Sequence, residues 1–157
     1  MGQKQIFWSG LTEVVTQNTS LPNNGAKEQL GTTREENQNS YKYVQFSGTT
    51  AASAGDFVCY VAKGSDGNAF IVDKANTNLG AGVAMGAIAS GSVQYGWIQI
   101  KGMATLNTAF TTGADNNTMT SVGATAGTIA VAAAVTNAMV GVAYDVAGKK
   151  VLLDCPY

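Results

Sequence analysis

The sequence predicts an all-β fold: a small β-barrel or sandwich built from two repeated four-strand units, preceded by an extended N-terminal arm. Three observations lead there. From Tyr41 onward, short runs rich in Val, Ile, Thr and aromatic residues recur, bounded by Gly, Asn, Asp and Ser. The word GVAMGAI at 82–88 returns as GVAYDVA at 141–147. The first forty residues show no sustained apolar period, so they have no core of their own.

Residues 1–40 form the arm and residues 41–157 the body. The arm opens on an apolar knot, Ile6, Phe7 and Trp8, then passes through Pro22, Asn23-Asn24-Gly25 and Gly31, which punctuate turns and leave no room for a long helix. Large aromatic side chains near a chain end are costly to leave in water, since each can bury about 150–250 Å². Either they pack on their own barrel or they anchor onto a neighbouring subunit. Thr32-Thr33-Arg34-Glu35-Glu36 reads as a helix start or a solvated loop. Arg34 has the planar fork that suits a partner's carboxylate. The arm is expected to matter for partner binding more than for folding, so that a body lacking it stays soluble.

Strands are predicted at 41–46, 56–62, 69–73, 82–88, 95–101, 128–134, 138–144 and 149–155. Ser65-Asp66-Gly67-Asn68 between two of them is a hairpin signal. In Trp97-Ile98-Gln99-Ile100-Lys101, the two isoleucines share one face while Gln99 and Lys101 share the other, giving a strand with one dry side. The run Ile129–Val135 (IAVAAAV) is ambiguous because Ala favours helix. Its interleaved β-branched residues and the bounding Gly127 favour strand. The repeat extends backwards: Ile71-Val72 answers Ile129-Ala130 and Gly55 answers Gly113, at an offset of 58 or 59 residues. The Gly-Val-Ala of each copy suggests a tight backbone contact at a barrel corner.

Composition narrows the function. The chain is 157 residues, one domain by the usual prior, with 12% charged residues against about 25% in an ordinary soluble domain. Between Ala75 and Gly148 the only charged side chains are Lys101, Asp115 and Asp145. Thr, Asn, Ser and Gly supply the polarity instead, a surface that is easily desolvated against other protein. Net charge is −1, which offers no footprint for nucleic acid. No apolar run approaches the roughly 20 residues that span a bilayer, and the opening MGQKQIFWSG lacks a signal-peptide core. No membrane partner and no export are expected.

No catalytic, cofactor or metal site stands out. The chain has no histidine, the commonest general base and metal ligand. Cys59 and Cys155 are far apart in sequence and read as buried reduced thiols, a bridge being possible only if the fold joins their strands. The ten carboxylates lie mostly in turns or the arm, and no spacing nominates an acid–base pair. Asp66-Gly67-Asn68 lacks the later ligands of a calcium loop, and Gly80-Ala81-Gly82 lacks the Lys and following helix of a phosphate cradle. The expectation is a non-enzyme without cofactor.

The succession LGTTRE…YKYVQF, AGDFVCYV, LGAGVAMGAIASG…YGWIQIKG and MVGVAY…KKVLLDCPY resembles the small cement or decoration proteins of tailed-bacteriophage capsids, over most of the chain. The resemblance implies a β-rich body made in the host cytoplasm and mounted on the outer face of the virion head, clamping subunits of the major capsid protein, with no catalysis. It implies self-association, a homotrimer before a dimer because capsid lattices offer three-fold sites. On this reading Ile6, Phe7, Trp8, Leu30, Arg34, Glu35, Tyr41 and Tyr43 form the capsid or subunit interface. The alternative is a carbohydrate-binding or host-attachment module of a phage particle, with Tyr95 and Trp97 as an aromatic platform for a glycan.

Overall fold

A computed structural model of the chain describes residues 9–61, 70–77 and 79–155. Eleven strands lie among them: β1 (Val15–Thr16), β2 (Thr33–Glu36), β3 (Asn39–Phe46), β4 (Phe57–Tyr60), β5 (Ile71–Asp73), β6 (Gly80–Ala84), β7 (Gln94–Thr105), β8 (Thr118–Thr120), β9 (Ala130–Val131), β10 (Gly141–Asp145) and β11 (Lys150–Asp154). The only helical piece among the described residues is a 3-10 turn at Pro22–Gly25.

Five strands close a barrel in the order β3-β5-β4-β6-β7, with β7 returning to β3. The β3–β5 pair is parallel, Gln45 opposite Ile71, and the remaining pairs are antiparallel. Alternation along β3 and β7 sorts their side chains. Val44, Phe46, Ile98 and partly Ile100 point into the barrel with Val58 and Val72. Tyr41, Tyr43, Tyr95 and Trp97 point out of it and form a separate aromatic cluster. The dry face assigned to Ile98 and Ile100 is therefore the barrel interior.

Strand β7 runs beyond the barrel. Lys101 to Thr105 pair with β11, and the sheet continues as β11-β10-β8-β9. This second unit lies against the outside of the barrel. Met119, Ile129, Val140, Val151 and Leu153 pack there on Phe57, Cys59 and Val83. Barrel closure thus happens within the first unit together with β3, and not between the two units.

The duplication is visible in the backbone. The order β5-β4-β6-β7 is repeated as β9-β8-β10-β11. Gly55 N donates to Ala84 O (2.8 Å) and Ala84 N to Asp56 O (2.9 Å); Asn116 N donates to Ala143 O (2.8 Å) and Ala143 N to Asn117 O (2.9 Å). In both copies the glycine of Gly-Val-Ala abuts the closing strand: a Cβ on Gly82 would collide with Gln99 O, and one on Gly141 with Leu152 O. The tight contact expected at these glycines is thus a strand-to-strand approach. One correspondence is corrected. Gly55 answers Asn116 rather than Gly113, both in left-handed backbone (φ 89° and 69°). Asn tolerates that conformation, so the letter changed while the turn did not.

Several boundaries move. The 32–36 segment is neither helix nor loop but the strand β2. It pairs with β3 through Asn37-Gln38, both at positive φ (50° and 67°), the geometry of a two-residue hairpin turn that matches strand twist. The 128–134 strand shrinks to Ala130–Val131, and β8 was not anticipated because Thr-Met-Thr sits in a polar run. The 65–68 hairpin signal falls outside the described residues.

The arm is extended, but from Ser9 onward it lies on its own barrel. Strand β1 pairs with the start of β7, Val15 opposite Tyr95. Leu11, Ala26 and Leu30 cover the aromatic cluster, where Tyr43 and Trp97 meet edge to face at 5.2 Å. Ser9 Oγ accepts a hydrogen bond from Trp97 Nε1 (2.9 Å), and Tyr43 OH accepts one from Lys27 N. Glu13 and Lys27 form an ion pair within the cover. The seat is apolar and aromatic, which is why a segment without its own period becomes ordered.

Two outcomes follow. Deleting residues 1–38 uncovers Tyr43 and Trp97, so the shortened chain is expected to aggregate or melt well below the full chain. Light scattering and circular dichroism read this, and an unchanged melting curve would refute the cover. Gly82→Ala and Gly141→Ala each force two strands apart and are expected to cost about 1–3 kcal/mol. Gly10→Ala, with nothing within 4 Å of the added carbon, is the control in denaturant titrations.

Candidate functional site

The outer face of the second unit departs from the usual pattern. An antiparallel sheet with one face on a core normally presents polar residues on the other. Here Met103, Leu152 and Val142 are direct register partners across β7, β11 and β10. They are 39%, 49% and 37% exposed, and Tyr144, two residues along β10, is 62% exposed. Their neighbours Ala104, Val151, Leu153 and Ala143 face the core. The row is bordered by the exposed pair Lys101 and Asp154 at one end and by Lys150 at the other. A contiguous apolar row with a charged rim is the composition of a protein-binding surface.

Sequence reasoning did not single out this row, although a signal was there. Val151-Leu152-Leu153 is an apolar triplet in a strand. Side chains alternate between faces, so one of the triplet faces away from the other two whichever side is buried.

The residues nominated from sequence fall elsewhere. Ile6, Phe7 and Trp8 lie outside the described residues. Leu30 is half-buried on the aromatic cluster. Tyr41 and Tyr43 are 6% and 0% exposed, so within this chain they serve as the seat of the arm. Arg34 ion-pairs with Glu36 of its own chain (2.6 Å) and donates to Ser9 O, while Glu35 is exposed beside the hairpin tip. Tyr95 and Trp97 are 2% and 1% exposed. An open aromatic platform needs ring faces in water, so that assignment is corrected: the arm occupies the surface a sugar ring would need.

What remains near Tyr95 is a groove of about 800 Å³ between arm and barrel. Carboxamides dominate its walls, from Gln17, Asn23, Asn24, Gln29 and Gln45, and Tyr95 OH accepts from Gln17 Nε2 at 3.4 Å.

The thiols are placed for packing. Burial raises the pKa of Cys59 and pushes that of Cys155 up to about 12, and both are unpaired by disulfide. Lys42, at the barrel wall, donates to Tyr60 OH (3.3 Å), and burial lowers its pKa. Among the described residues no three metal-ligating side chains cluster, and no helix is long and apolar enough to cross a membrane.

Compared with known proteins, the chain matches no protein-family model, no curated protein and no solved structure.

Proposed function

We propose that this chain is a structural cement subunit of a phage head, bound to the outer face of the shell and clamping neighbouring major capsid subunits. The observation that carries the reading is the exposed row Met103–Leu152–Val142, with Tyr144, on an otherwise charge-poor unit. The sequence resemblance names the partner and the row supplies a face for it. Sister copies at a three-fold site are the second partner on this reading, a homotrimer before a dimer. A subunit that binds the closed shell and not the separated subunits stabilises the closed state by about 2.7 kcal/mol per site at 100-fold saturation. Many weak sites then suffice.

The second reading, a carbohydrate-binding or host-attachment module, keeps one supporting observation, the carboxamide-lined groove beside Tyr95. The two readings part on where the protein travels: cement stays with emptied heads, and an attachment module follows tail or fibre fractions.

Leu152→Lys and Met103→Lys are expected to weaken shell binding by upwards of about 2 kcal/mol, roughly 30-fold, while the isolated protein melts as before. Particles assembled without the protein are expected to rupture at a lower temperature. Raising salt to about molar, where the Debye length is about 3 Å, is expected to strip little of it. Binding unaffected by both substitutions, or wholesale release in salt, would count against the apolar row.

A further inference from the structure

Among the described residues, Asp56 is a carboxylate whose side chain is fully buried (0% exposed), at the turn before β4. Its Oδ2 accepts from Ser53 N (2.9 Å) and from Lys74 Nζ (2.9 Å), and its Oδ1 accepts from Asn107 Nδ2 (3.0 Å). Lys74 follows β5, and Asn107 lies just beyond β7. One carboxylate therefore holds a primary amine on one oxygen and a carboxamide on the other. Burial acts to raise the Asp56 pKa, and the hydrogen bonds from Ser53, Lys74 and Asn107 outweigh it, leaving the carboxyl below its ordinary value.

The turn itself does not call for a carboxylate. In the second unit Asn117 stands where Asp56 does, and its Oδ1 accepts from Ala114 N (2.8 Å) as Asp56 accepts from Ser53. An amide completes that turn, so the acid in the first copy answers to something else. The surroundings are fitted to the amine and the amide. A Cβ on Gly127 would stand 2.5 Å from Lys74 Cε, so the missing side chain makes room for the lysine stem. Gly127 O accepts from Phe57 N (2.8 Å), which fixes this wall beside Asp56. Asn107 is held at the same place by its own N donating to Gly55 O (2.8 Å) and by Lys149 Nζ donating to Asn107 O (2.7 Å).

We propose that Lys74 and Asn107 are a modification site: they become joined by an intramolecular isopeptide bond, with Asp56 as the catalytic proton carrier. The resting pair is ammonium and carboxylate, and the carboxylate takes the Lys74 proton only transiently, as the amine moves onto Asn107. The neutral amine attacks Asn107 Cγ, so the Nζ–Cγ bond forms. The Cγ–Nδ2 bond then breaks, and the departing nitrogen takes the proton held by Asp56 and one from the former amine, leaving as ammonium. Asp56 is a carboxylate again, and the product is a secondary amide between the two side chains. No oxidant, metal or cofactor enters the balance. Pre-positioning supplies the drive, since two groups held against one carboxylate react as an effectively unimolecular pair; the carboxylate between them is fully buried, while Lys74 is a quarter exposed and Asn107 is exposed. The bond ties the end of β5 to the chain leaving β7, where the barrel hands over to the second unit.

Mass spectrometry of the intact full chain tests this. The purified protein is expected to weigh one ammonia less than its sequence, and its digest to contain a branched peptide joined at Lys74 and Asn107. Lys74→Arg, which keeps the ion pair, and Asn107→Ala are each expected to restore the full sequence mass. Asp56→Asn, which keeps the acceptor of the turn but cannot carry the proton, is expected to do the same; circular dichroism confirms that each variant is folded. Folded wild-type protein that retains the full sequence mass, both fresh and after prolonged incubation, overturns the proposal. So does an ammonia loss that the digest maps to Asn24-Gly25 instead.

Discussion

The structure depends on one strand. Along its twelve residues β7 pairs with β3 and β6 in the barrel, with β1 of the arm, and with β11 of the second unit. Its side chains serve three environments in turn: Ile98 the barrel interior, Trp97 the cover, Ala104 the core between the units. A central strand that satisfies its backbone groups on both sides leaves no edge at the middle of the molecule. It also couples parts that would otherwise be independent, because a shift of register in β7 would turn every one of these side chains to the wrong face.

The two units show how one arrangement serves two ends. Both keep the strand order, the turn before the first strand and the glycine that lets the Gly-Val-Ala strand press against its neighbour. They differ in what completes them. The first gains β3 and closes. In the second, the stretch leaving β7 takes that place more loosely, with Thr111 N donating to Ile129 O (3.0 Å). The closed unit carries the aromatic seat and the buried carboxylate. The more open one carries Leu152 and Val142 of the exposed row, with Met103 beside them at the far end of β7. Barrel closure and surface apolarity are thus divided between copies of one design.

The cover explains why so polar a segment is ordered. Ordering a residue costs about 1–2 kcal/mol in backbone entropy, and residues 9–38 offset this with few apolar contacts of their own. Those contacts fall on large rings. Leu11, Ala26 and Leu30 lie over Trp97 and Tyr43 and help to bury them, and Ser9 Oγ accepts the hydrogen bond of the indole N–H. The segment and the barrel therefore stabilise each other, and the arm contributes to the fold.

The sequence by itself determined what is local. The alternation in Tyr-Gly-Trp-Ile-Gln-Ile placed Ile98 and Trp97 on opposite faces, the turn residues delimited most strands, and the recurrence of Gly-Val-Ala announced the duplication. Strands of two or three residues, such as β1 and β8, were obscured because so short a run has no measurable period. The candidate interaction row was legible only as a choice, since alternation along Val151-Leu152-Leu153 turns outward either Leu152 or the pair Val151 and Leu153 without saying which. Tertiary structure alone decided the rest. It laid the arm on Tyr95 and Trp97 and so removed them from solvent. It turned Leu152 outward, because β11 joins β7 in the register that puts Val151 and Leu153 on Phe57 and Val83. It also brought Asp56, Lys74 and Asn107 to one point. They stand at the ends of three different strands, and their meeting follows from the order in which those strands pair, a long-range property that no local pattern of residues encodes.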